Sequence, residues 1–384
     1  MTTTAPSYRH NHFVPEWYQR GFLLPGQGEH FVFDKDPDYW IEIPGHRRKK
    51  IIRRAVTRKG PIKFLRVKDL YTTNVFGLPN TEIERRLFGR IDTCGKRACE
   101  LFCAWPNNAG PHGDNVPEEF GDPCERIVDL IEYLDAQKLR TPKGLAFLKL
   151  VLAKNGILAP TQNSLMDIMQ RVRQYFATTW SEGLWELVSA EESATKFIFS
   201  DDPVTLYNCD CFPGAPQCQY PYDPHPYFVG TRTIFPLDRN NCLIIANIEH
   251  SKNPIRTNAR KNRRNARSFD QTLITYLDIH KNRSLSEVDV ATINYIIKSR
   301  AIRYIAAGQE DWLYPENVIG SVKWPELDLT LQHQGFAMKL SSQETMVTYE
   351  DESILTVTPY GERDLVPGWF VKSRRNKNKS CVSD

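Results

Sequence analysis

Residues 122–158 read DPCERIVDLIEYLDAQKLRTPKGLAFLKLVLAKNGIL, and two helix starts lie in this stretch with no strand between them. Asp122 precedes Pro123, and Glu125 follows in the first turn. An aspartate side chain caps free backbone amides, proline suits the first helical position, and an acid favours the positive helix end. Thr141-Pro142 repeats the logic. The spacing therefore predicts one helix to about Arg140 and another to about Leu158. Upstream, Ile83, Leu87, Ile91, Cys94, Ala98 and Phe102 recur every three or four residues, which predicts a helix over 80–105. Thr81 and Glu84 fit a T-x-x-E capping box at its start. A fourth helix is expected over roughly 164–188.

Outside this block the pattern changes. KFIFS (196–200), VTLYN (204–208), TRTIFPL (231–237) and NCLIIAN (241–247) are short runs rich in β-branched and aromatic residues, and read as strands. HFVF (30–33) and YWIEI (39–43) read the same way, as do GFAMKL (335–340), TMVTYE (345–350) and SILTVTP (353–359). Ser284 and Glu287 fit a second capping box, opening a helix to about Ala307. Helices and strands come in blocks rather than in alternation. The expected class is α+β, a central helical block followed by a mainly antiparallel sheet with a late helix. The expected organisation is a globular body over 1–310, a strand-rich extension over 311–371 and a basic, polar tail over 372–384 that frays.

The 384 residues are 41% hydrophobic and 25% charged, enough apolar material for a large core. Fifty Lys+Arg against 46 Asp+Glu leave a net charge of +4, too little by itself to argue for nucleic acid. LAFLKLVLAKNGIL (145–158) is broken by lysines, so no membrane span is expected. The start, MTTTAPSYRHNH, lacks the apolar run of a secretory signal. Nine cysteines, an odd number in a long chain, point to free thiols in a reducing cytoplasm. Gly-rich phosphate loops, G-x-S-x-G and H-E-x-x-H do not occur, which argues against NTPase, α/β-hydrolase and zincin chemistry.

RHNHFVPEWYQRGF (9–22) contains the letters H-N-H. A nuclease of that name spreads its metal and base residues over a ββα element, and nothing after His12 supplies that spacing. Phe13, Trp17, Tyr18 and Phe22 are expected to dock the arm on the core. His12 is then either a partly buried anchor or a ligand or acid–base group. Asp201 and Asp202 follow a strand and precede Pro203; neighbours on a strand point to opposite faces, so both share one site only if the chain turns there. Pro203 also biases Asp202 toward an extended backbone. Asp201, with His12 and Glu84, would suit Mg²⁺ or Mn²⁺; alternatively Ser200 and Asp201 cap a turn. Arg140 can grip a phosphate or carboxylate, or cap the helix that ends there. His12, Arg140 and Asp201 form the candidate catalytic set, expected to share a polar pocket, with Asp201 and His12 as candidate metal ligands.

Cys209, Cys211, Cys218 and His225 read C-x-C-x6-C-x6-H, a candidate zinc set. Its first pair is more closely spaced than in most structural zinc sites, and its loop is rich in proline. Cys94, Cys99 and Cys103 lie along one helix as small buried hydrophobes. Three windows are basic: HRRKKIIRRAVTRK (46–59), RTNARKNRRNAR (256–267) and SRRNKNK (373–379). Arg260, Lys261, Arg263, Arg264 and Arg267 are the candidate nucleic-acid contacts, since phosphate binding needs clustered cations.

An ordered set of segments carries a resemblance. HFVPEWYQRGF (12–22) has a His, two residues, a Pro, an aromatic pair and a Phe. TEIERRLFGRID (81–92), KLRTPKG (138–144), FIFSDDPVTLYN (197–208), RTIFPLDRNNCLIIAN (232–247) and NYIIKSRAIRYIAA (294–307) follow. Together, over roughly 9–308, they resemble the domain-of-unknown-function family numbered 4238. Gln19 stands where the family carries Leu, and Asp202 where its pattern has Asn. The resemblance implies one folded body and no particular activity. The functional expectation is a protein that binds or processes nucleic acid with a divalent metal, Mg²⁺ or Mn²⁺. The rival is a non-catalytic binding or sensing module in which the same residues are structural.

Overall fold

The computed structural model describes residues 10–41, 49–51, 53–104, 119, 121–181, 183–226, 228, 230–247, 279–331, 345–348, 354–358 and 361–363. The arginine-rich window 256–267, GFAMKL and the basic tail lie outside the described residues. The opening arm forms β1 (His10–His12) and α1 (Glu16–Arg20). Strands β2 (His30–Asp34), β3 (Tyr39–Ile41), β4 (Lys49–Ile51), β5 (Val56–Lys59), β6 (Arg66–Lys68), β7 (Thr73–Val75) and β8 (Leu78–Asn80) follow. The helical block begins with a π-helical turn, Ile83–Phe88, that runs into α2 (Gly89–Ala104). It continues through α3 (Pro123–Arg140), α4 (Pro142–Lys154), α5 (Gln162–Val172) and α6 (Gln174–Trp180).

The two helix starts of 122–158 form as read. Asp122 accepts from the Cys124 amide and Thr141 from the Gly144 amide, each with proline next in the chain. The Thr81–Glu84 box does not form. The Asn80 side chain accepts from the Glu82 amide at 2.8 Å, and Glu84 turns inward. α2 lies close on α3, where a Cβ on Gly95 would sit 2.5 Å from Cγ of Tyr133. The helix expected over 164–188 ends at Trp180 instead. Leu184–Ser189 is β9, drawn out of the helix by pairing with β13 (Asn241–Ala246), and a Cβ on Gly183 would sit 2.4 Å from Ile245.

β9 is followed by β10 (Phe199–Ser200), β11 (Thr205–Tyr207), β12 (Arg232–Pro236) and, after β13, β14 (His280–Ser284). Then come α7 (Glu287–Arg300) and β15 (Tyr304–Ala307). Two sheets result. One has the order β10-β15-β2-β5 and is antiparallel throughout; the other has the order β11-β12-β13-β9-β14, with only β14 parallel to its neighbour. The fold is α+β. Residues Cys242–Ala246 of β13 are all buried, as expected of a central strand covered on both faces. α7 is capped by Ser286 and Asp289 rather than Ser284 and Glu287, because Ser284 is still held in register with Ser189 by the β14–β9 ladder. Asn294, fully buried, ties α7 to the chain before β10, donating to the Lys196 carbonyl and accepting from the Ile198 amide.

The four aromatics of the arm enter the core: Phe13, Tyr18 and Phe22 are buried, and Trp17 packs against them half-buried. The core continues through Trp312, Leu313, Leu327 and Leu331. Farther on, Thr345–Thr348 and Ile354–Thr358 pair antiparallel. Among the described residues no helix is long and apolar enough to cross a membrane.

Candidate functional site

His12, Arg140 and Asp201 each have their own hydrogen-bond partners among the described residues. The His12 ring nitrogen Nε2 lies 3.1 Å from the Ile62 carbonyl oxygen, and burial holds the imidazole below its usual range. Asp201 accepts the backbone amides of Ile302, Arg303 and Tyr304 at 2.8–3.0 Å, clamping the turn that enters β15. Burial pushes its carboxyl up to about 6, while the three amides pull the other way. Both Asp201 carboxylate oxygens thus accept N–H donors. Among the described residues no group of three or more His, Cys, Asp or Glu side chains is placed to hold a metal ion. The zinc expectation fares no better. Cys211 and Cys218 are buried, and the Arg300 guanidinium donates to the Cys211 carbonyl and lies 3.9 Å from the Cys218 sulfur. A hydrogen bond with Cys211 brings the Cys218 thiol down to about 7 against the effect of burial, with help from Arg300.

Arg140 is the centre of a different cluster. It does not cap α3, whose last carbonyl takes the Tyr71 hydroxyl at 2.7 Å. Its guanidinium reaches across to α2, pairing with Asp92 at 2.7 Å and donating to Gln137. The rings of Phe88 and Tyr133 flank it, each centroid 5.5 Å from the guanidinium carbon. Asp92 is 27% exposed whereas Arg140 is 1% exposed, so the pair runs from the core toward the surface.

Glu84 lies beside this pair. Burial pushes its carboxyl up to about 7; Arg140 pulls it down, and Asp92 adds to the rise. Asn11 sits beside it. Strand alternation sends Asn11 inward from β1 while His10 and His12 point the other way. The Asn11 side chain hydrogen-bonds the Glu84 carboxyl and the Tyr133 hydroxyl interacts with Arg140, while Trp17 Nε1 is buried without a hydrogen-bond partner among the described residues. Trp17 and Tyr133 stack obliquely, 5.3 Å between ring centroids. Asn11, Glu84 and Arg140 thus bring together the opening arm, the Glu84 turn and the Arg-Thr-Pro corner, three segments far apart in sequence.

On the other side of Arg140 lies a second polar group that sequence reasoning missed. Lys138 and Lys143 each bind both Asp202 and Asp223, at 3.0 and 2.6 Å for Lys138 and at 2.9 and 2.6 Å for Lys143. Asp202 and Asp201, in the bend that follows β10, therefore serve different partners. Asp223 sits in a proline-rich loop, where nothing local marks it.

Glu84 makes stability depend on pH. Its folded pKa lies above its unfolded value, so its contribution is fully present below about pH 4.5 and is lost as pH rises through about 7. Glu84→Gln is expected to be more stable than the parent at pH 8, by up to about 3 kcal/mol, and to match it near pH 4. Urea melts of both proteins at the two pH values check this; parallel pH profiles would remove the buried carboxyl as their cause.

No family model, curated protein or solved structure matches the chain.

Proposed function

We propose that the chain binds or processes nucleic acid at the polar cluster between the opening arm, α2 and α3, with Glu84 as the group that moves a proton. One observation carries the reading: the Glu84 carboxyl, pushed up to about 7 by burial, lies beside Asn11 and the Arg140–Asp92 pair. A group with that ionisation is suited to general acid–base work. Arg140, held by Asp92 and Gln137, supplies a fixed positive field for developing negative charge. Arg85, Arg86 and Arg90 are exposed on the same turns as Glu84 and Asp92 and suit phosphate contact. Arg260, Lys261, Arg263, Arg264 and Arg267 belong to the same proposal as an outer contact segment. No step passes through a metal ion. The three segments that meet at the cluster also carry the resemblance to the 4238 family, and membership of it is part of the proposal.

The test is binding of labelled single-stranded DNA and RNA by fluorescence anisotropy across a salt series, with gel assays of strand cleavage. Affinity is expected to fall steeply with salt. Replacing Arg260, Arg263 and Arg264 with Gln should flatten the log–log slope by about 0.7–0.9 for each arginine–phosphate pair removed. Glu84→Gln should keep binding and lose turnover. An absence of binding at low salt overturns the nucleic-acid reading. Binding without cleavage by the parent favours the rival, a non-catalytic module, which the complete pairing of Arg140 supports.

A further inference from the structure

A cleft opens on the far side of the last turn of α3. Lys138 and Arg140 are two residues apart, about 200° around the helix, so one faces Asp202 and Asp223 while the other faces α2. The cavity has a volume of about 240 Å³, with Leu139, Phe147, Phe176, Leu206 and Tyr222 among its walls. Phe147 and Tyr222 meet edge to face, 6.3 Å between centroids. Lys138, Lys143 and Asp223 form the polar floor.

That floor is electrically balanced. Its two ammonium groups are each held by two carboxylates within 3.0 Å, so neither is available to a ligand without breaking a buried pair. Lys154 differs. It is exposed at the rim, in the last turn of α4. Among the described residues its partner is the Tyr222 ring, 5.3 Å from the ammonium to the centroid, rather than a carboxylate. The cleft therefore offers aromatic walls and one cation that an incoming anion can reach.

We infer that this cleft binds a compact aromatic monocarboxylate, its ring between Phe147, Phe176 and Tyr222 and its carboxylate on Lys154. The size excludes larger ligands, since drug-sized sites run to roughly 300–1,000 Å³. The charge excludes an organic cation, which would oppose Lys154. It also disfavours a phosphate dianion, because the other two lysines are already neutralised. Aromatic walls match a flat ring through offset and edge contacts. The site is separate from the Glu84 cluster and does not rest on the nucleic-acid reading.

The experiment titrates the full chain with benzoate and, separately, with its neutral isostere benzamide, read by ligand-observed NMR. Benzoate is expected to bind saturably, and benzamide about fivefold more weakly, the size of one rim ion pair. Lys154→Met, at an exposed position, should weaken benzoate by the same factor of about five and leave benzamide unchanged. A parent that does not bind benzoate overturns the inference. So does a Lys154→Met variant that binds benzoate as tightly as the parent.

Discussion

A chain lacking residues 10–22 is expected to show no cooperative thermal transition. Phe13, Tyr18 and Phe22 are buried, and a fully buried side chain of this kind contributes roughly 1.5–3 kcal/mol. The loss is also specific. The Tyr18 ring stacks on Phe235 of β12, 5.3 Å between centroids and 19° between planes, and its hydroxyl donates to the Pro236 carbonyl at 2.7 Å. Phe22 packs on Phe199 at 4.7 Å, so the arm bridges both sheets. Gln19 donates to the Val14 and Phe64 carbonyls, a polar use for a position where the resembled family has Leu. Against a total of about 5–15 kcal/mol, removing this packing leaves no stable fold. Phe22→Ala is the graded version and should lower stability by about 3–5 kcal/mol in chemical denaturation. A truncated chain that melts at the parent temperature would show that the arm is dispensable.

Asp223→Asn is expected to destabilise the protein by about 3–5 kcal/mol, because it leaves two buried ammonium groups sharing one carboxylate. All four side chains of the quartet are at most 8% exposed. Adding Lys143→Met to Asp223→Asn should recover part of the loss, since it removes one of the uncompensated charges. Burial alone would raise the Asp223 carboxyl, but Lys138, Lys143 and Arg300 hold it well below the usual carboxylate range. A depressed folded pKa gives stability that is present above about pH 4 and is lost as pH falls further. Acid unfolding of the parent should therefore carry an Asp223 component that Asp223→Asn lacks. If single and double variants are equally stable and unfold in acid like the parent, the quartet is not a coupled unit.

The helix starts were legible because capping is local. Asp122-Pro123 and Thr141-Pro142 each act within three residues, and nothing tertiary competes with them. The strands 199–207 and 232–246 were legible from β-branched and aromatic runs, and the block order implied α+β. Three local readings failed where a tertiary contact outweighed propensity. The helix to 188 gave way to β9, whose ladder with β13 sits at the centre of a sheet. The Ser284 cap moved to Ser286 because β14 kept Ser284. Glu84, well placed for a cap by spacing, turned inward beside Asn11.

What the sequence determined by itself was the α+β class and the docking of an aromatic arm, since both follow from spacing along a few residues. Only the tertiary structure decided which polar groups meet. Arg140 met Asp92 across 48 residues, and Lys143 met Asp223 across 80, by way of α2 and a proline-rich loop. Periodicity tells which face of an element is apolar, but it carries no record of which distant element that face will meet. A buried charge must be neutralised by whatever side chain packing brings within about 3 Å, and that partner is fixed by the whole core at once.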